Sequence, residues 1–139
     1  DIIAGSNSRE ATLQKISEIL KDQISHYDWV GFYLADDSGE NLNLGPYAGA
    51  STDHTKIAFG KGVCGQVAES QTSRIIQDVS LEDNYLSCSI NVRSEVVFPI
   101  MKGSKFVAEL DIDSHALSPF TDQDTEMLET ICQKLEVLF

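Results

Sequence analysis

Long apolar runs are absent from this chain of 139 residues. Spanning a bilayer takes about 20 consecutive apolar residues, and no stretch approaches that. The amino-terminal segment also lacks the basic-then-apolar pattern of a secretory leader. The expectation is therefore no membrane partner and a cytoplasmic location. Positive charge is scarce as well: 10 Lys and Arg stand against 22 Asp and Glu, a formal net charge of −12. Such a surface repels the phosphates that dominate nucleic-acid affinity and the anionic face of a membrane, so nucleic acid is not an expected partner. Cysteine occurs three times, an odd number, which argues against a secreted disulfide framework and for thiols that are structural, metal-binding or reactive. The three histidines, His26, His54 and His115, show no zinc-finger or zincin spacing. GlyLysGly at 60–62 is too short for a phosphate-binding loop, and neither a GxSxG elbow nor a dinucleotide fingerprint is present. No metal and no organic cofactor is expected. Internal repeats, low-complexity tracts and linkers are missing too, so residues 1–139 read as a single domain, long enough to bury roughly two thirds of its unfolded surface.

What is present alternates between helix and strand patterns. Apolar residues recur at spacings of three and four from Ser8 to Ile24, at Ala11, Leu13, Ile16, Ile19, Leu20 and Ile24, the stripe of an amphipathic helix capped by Asn7 or Ser8. AspTrpValGlyPheTyrLeu from Asp28 has strand composition and is joined by the turn at 36–40 to a second strand near Asn41–Leu44, which Gly45 and Pro46 are expected to end. Residues 48–55 are small and polar and read as a mobile loop with the character of a lid. A short extended piece at 56–59 leads into a helix over about 63–70 that carries Cys64 in its first turn. A strand over 73–79, a loop or short helical turn over 82–91, a hairpin of 94–101 with 105–113 and a final helix capped by Thr121 complete the chain. The final stripe is Met127, Leu128, Ile131, Leu135 and Leu138. Most strand connections are too short for crossover helices, so the reading is α+β: an antiparallel sheet of about six strands with the amino- and carboxy-terminal helices on one face. Those helices are expected to leave apolar surface at Leu138 and Phe139 for a homodimer.

Three features carry chemistry. Cys88 has polar neighbours in an irregular segment with Arg93 nearby, a setting in which a thiol ionises; the bland alternative is an unreactive loop cysteine. Cys64, at a helix N-terminus, would feel a dipole that favours thiolate; its alternative is a small residue at a crowded glycine turn. Cys132 lies on the core stripe and reads as packing. In PheValAlaGluLeuAspIleAspSer, period-two alternation puts Leu110 and Ile112 on one face and Glu109, Asp111 and Asp113 on the other, and Glu95 joins the acids if the hairpin pairs in register. Carboxylates clustered in a confined site cannot all ionise cheaply, so one should hold its proton and act as a general acid; the alternative is a water-facing strand. Trp29 and Tyr33 project from one face of the first strand as an aromatic wall with two donors, and Phe32 points the other way.

Taken in order, DWVGFYL at 28–34, LNLGPYAG at 42–49, FGKGVCG at 59–65, the Cys88 loop running into SEVVFPI at 94–100, and LDIDS at 110–114 resemble the GAF-domain free methionine-(R)-sulfoxide reductases. The resemblance implies a GAF-like fold with its ligand pocket on the face away from the terminal helices. It implies reduction of free methionine-(R)-sulfoxide, with Cys88 attacking the sulfur, Glu95 or Asp113 as the protonated donor, Trp29 or Tyr33 in support, and Asp111 facing the substrate ammonium. Cys64 would resolve the sulfenic acid, and a thioredoxin-like reductant would complete the cycle. One position departs from the family pattern, which usually has a further cysteine ten residues before the GVCG cysteine; this chain has His54 there. The competing readings are a non-catalytic GAF module that binds a small molecule, and a redox sensor built on a Cys64–Cys88 disulfide.

Overall fold

A computed structural model describes residues 8–82 and 91–139. Helix α1 (Arg9–Gln23) opens at Ser8, whose side chain accepts from the Ala11 N–H. The face it buries is set by Leu13, Ile16 and Leu20 and includes Thr12 and Ser17, while Ala11, expected on the stripe, is exposed. The two buried hydroxyls are satisfied by backbone carbonyls one turn back, at Ser8 and Leu13, which removes most of the cost of burying them.

Six strands form one sheet: β1 (Trp29–Ala35), β2 (Asn41–Ala48), β3 (Lys56–Ala58), β4 (Arg74–Ile76), β5 (Ser94–Lys102) and β6 (Lys105–Ser114). Their order is β3-β2-β1-β6-β5-β4, and every paired neighbour is antiparallel. Helix α2 (Gly62–Ser70) lies between β3 and β4 in the chain, and α3 (Asp122–Leu135) follows β6.

Two elements differ from the sequence reading. Strand β2 does not stop at Gly45 and Pro46 but runs to Ala48, because its register against β1 shifts between Gly31 and Tyr33. A bulge there absorbs the proline in a strand that pairs with β3 only through residues 41–43. The strand expected over 73–79 shrinks to Arg74–Ile76, and a 3-10 turn with an Asp78 cap takes Val79–Leu81.

The two sheet faces serve different ends. Val30, Phe32, Val96, Phe98, Leu110 and Ile112 form one core with α1 and α3, including Leu13, Leu128, Cys132 and Leu135. Leu138 and Phe139 pack against this core instead of standing free; among the described residues the exposed apolar residue at this end is Val137. The opposite face packs Trp29, Tyr33 and Val97 against α2 through Cys64, Val67 and Ala68. No described helix is long and apolar enough to cross a membrane.

Candidate active site

Register places the acids. Glu95 pairs with Asp113 and Val97 with Asp111 across β5 and β6, and Trp29 pairs with Asp113, Gly31 with Asp111 and Tyr33 with Glu109 across β1 and β6. Side chains alternate across a sheet, so all eight positions lie on the face toward α2. The water-facing alternative fails: Glu95 is 5%, Glu109 0%, Asp111 3% and Asp113 1% exposed.

Cys64, in the first turn of α2, completes the cluster from above the sheet. Its Sγ lies 4.0 Å from Glu95 Oε2. Tyr33, His54, Cys64, Glu95 and Asp111 line a small cavity of about 10 Å³, about the room one water needs. Asp113 and Trp29 are not in that lining; they stand one row along the sheet, paired to each other.

The electrostatics follow from burial. Loss of water, then the charges of Asp111 and Asp113, hold the Glu95 carboxyl well above the usual range. Burial and Asp111 do the same to Glu109, against a smaller opposing pull from the Cys64 thiol, which lies beyond hydrogen-bonding geometry, so neither Glu109 oxygen has a hydrogen-bond partner. Asp111 is raised by burial, opposed by Glu95, Cys64 and the charge of His54. For Cys64 the expectation of a dipole-favoured thiolate is overturned: burial, then Asp111, Glu109, Glu95 and Asp113, push its thiol well up. A helix N-terminus offers about half a positive charge, too little against several carboxyls in a dry site.

The aromatic wall exists and is roofed. Trp29 stacks on Tyr33 at 6.5 Å and on Tyr47 at 5.3 Å between ring centres. The indole Nε1–H donates to the Ala50 carbonyl at 2.9 Å, and the Tyr33 hydroxyl donates to the His54 carbonyl at 2.9 Å. Residues 49–55 thus form a strap tied across the site by the two expected substrate donors. Sequence reasoning missed the glycines that make this possible. A Cβ on Gly31 would stand 2.5 Å from the Trp29 ring and 2.6 Å from Tyr47 Cβ, and one on Gly49, at φ +133°, would stand 2.7 Å from the indole. The signal was present, in that Gly31 sits between Trp29 and Tyr33 in an otherwise bulky strand.

Cys88 lies outside the described residues. Cys132 is a buried free thiol in the α1/α3 core, as its place on the stripe implied.

Residues 8–138 match the GAF domain family. The free methionine-R-sulfoxide reductase of Escherichia coli is 37% identical to this chain over 136 residues, which are 97% of this chain and 80% of that protein. Among solved structures, that of free methionine-R-sulfoxide reductase from Neisseria meningitidis in complex with its substrate superposes with a TM-score of 0.93 at 33% identity, covering 99% of this chain and 81% of that one. The type II free methionine-R-sulfoxide reductase from Thermoplasma acidophilum superposes with a TM-score of 0.89 at 30% identity, covering 99% of this chain and 94% of that one.

Proposed function

The chain belongs to the GAF-domain free methionine-(R)-sulfoxide reductase family, and from that premise we propose that it reduces free methionine-(R)-sulfoxide to methionine with Cys88 as nucleophile. The observation that carries the reading is the gathering of Cys64, Glu95 and Asp111 around one small cavity, with Asp113 opposite Glu95. Reduction of a sulfoxide needs a thiolate on sulfur and a proton on the departing oxygen. Cys88 forms a bond to sulfur; Glu95 or Asp113, as a neutral acid, protonates the oxygen; the S–O bond breaks, and the hydroxyl passes to the Cys88 sulfur as the bond between the two sulfurs breaks. Methionine leaves, and Cys88 carries the oxygen as sulfenic acid. The Cys64 thiol then condenses with it, losing water and forming a disulfide. His54 cannot form a disulfide, which leaves Cys64 or an external thiol to resolve the sulfenic acid, and the direct route through Cys64 is the one proposed.

Asp111 pairs with the substrate ammonium, and Trp29 and Tyr33 bound the methyl-thioether end. A cavity of about 10 Å³ does not admit an amino acid, so substrate enters as the strap over 49–55 lifts and Trp29 and Tyr33 exchange backbone carbonyls for the sulfoxide oxygen. A thioredoxin-like dithiol as reductant, a cytoplasmic setting, a homodimer and one folding unit over residues 1–139 belong to the same proposal. Substrate added to reduced protein without a reductant should leave Cys64 joined to Cys88, as read by peptide mapping after alkylation. A stable Cys88 sulfenic acid with Cys64 still alkylated would refute direct resolution.

A further inference from the structure

We propose that Cys64, Glu95 and Asp111 form a binding site for one divalent metal ion of borderline softness, with zinc as the type. The three come from α2, β5 and β6, and one ligating atom from each lies within 4.8 Å of the other two. Zinc–sulfur and zinc–oxygen bonds in a tetrahedron set sulfur and oxygen about 3.6 Å apart. The observed 4.0 Å between Cys64 Sγ and Glu95 Oε2 needs only a small inward shift.

A second observation points to a ligand. Asp111 Oδ1 is buried without a hydrogen-bond partner in a residue only 3% exposed, and Asp111 lines the cavity. An orphaned buried carboxylate oxygen is costly, and a cation satisfies it directly. The cavity of about 10 Å³ suits a single ion while excluding an amino acid. Glu109 and Asp113 share the same sheet face, so the acids that repel one another in the metal-free site all attract a dication.

The donor set decides which ion. A sulfur ligand disfavours magnesium and calcium, which take oxygen. One thiolate, two carboxylates and a fourth position for water suit zinc or cobalt. Binding requires the thiol to give up its proton to solvent. On the reductase reading, ion and sulfoxide exclude each other; metal retention is measured without substrate, so failure of one reading is seen apart from failure of the other.

The test uses the whole chain, stripped with chelator, reduced with a phosphine and dialysed against zinc alone. The expected result is one zinc retained per chain. Cys64→Ser and Asp111→Asn, each checked for native circular dichroism, should weaken retention by more than the ~10-fold to 100-fold that outer-shell changes cost. Cys88→Ser and Cys132→Ser should retain the ion. Cobalt in place of zinc should give a thiolate-to-metal absorption band that Cys64→Ser abolishes. No retained zinc, or equal retention by folded Cys64→Ser and Asp111→Asn, or a cobalt band lost only with Cys88→Ser, would overturn the proposal.

Discussion

Glu95 stands directly across the β5–β6 ladder from Asp113, two carboxyls on one buried sheet face under the helix that carries Cys64. Because the pair cannot both ionise cheaply there, the amide variants separate proton delivery from binding. Glu95→Gln or Asp113→Asn, whichever removes the donor, should lower kcat by ~10²-fold to 10⁴-fold with KM little changed. Asp111→Asn should instead raise KM, because on the proposed reading Asp111 is the group that pairs with the ammonium. Steady-state kinetics on the three variants decide the matter; three wild-type profiles would mean that the acids do no chemistry.

Glu109 has a different standing. It is fully buried, both its oxygens lack partners, and no step of the reaction uses it. Glu109→Val removes an unsatisfied polar group from a strand, where valine is at home. Urea unfolding at neutral pH should show the variant more stable by about 1–3 kcal/mol.

Asp124 closes the fold at the opposite face. It completes a capping box with Thr121 at the start of α3, accepts from the Tyr27 hydroxyl at 2.5 Å and lies 3.5 Å from His26 Nε2. Burial opposes ionisation, but the hydrogen bonds from Tyr27 and Thr121 prevail and hold its carboxyl below the usual range. A depressed folded value contributes stability above the unfolded carboxylate range, and that contribution is lost as pH falls through the folded value. Wild type should therefore lose more stability than Asp124→Asn between neutral pH and acid, and Asp124→Ala should cost about 1–2 kcal/mol at pH 7.

Tyr33 ties the strap through its hydroxyl to the His54 carbonyl. Tyr33→Phe keeps the ring packing and deletes that tie. Amide hydrogen exchange over residues 49–55 should quicken, with exchange in the β5–β6 ladder unchanged. Unaltered exchange in the strap would mean that other contacts hold it.

Much of this was legible in the sequence because it depends on local rules. Period-two alternation separated Leu110 and Ile112 from Asp111 and Asp113, and the hairpin register brought Glu95 beside them. Trp29, Tyr33 and Phe32 fell on the faces the strand period assigned. What escaped depends on contacts between elements distant in the chain. Strand β2 passes Pro46 because a bulge against β1 accommodates it. Thr12 and Ser17 turn inward because carbonyls of the same helix receive their hydroxyls. The state of Cys64 was misread because a helix dipole is visible in sequence, whereas the depth of burial and four facing acids are not. Gly31 and Gly49 gained meaning only once the Trp29 ring lay between them.

The central claim is that this chain is a reductase whose nucleophile is Cys88. The most direct test is the consumption of free methionine-(R)-sulfoxide by freshly reduced protein with a dithiol reductant, run beside Cys88→Ser and Cys132→Ser. The expected result is turnover by wild type and Cys132→Ser, none by Cys88→Ser, and no consumption of the S epimer. Wild type that binds the sulfoxide without consuming it, or undiminished turnover by Cys88→Ser, would contradict the account.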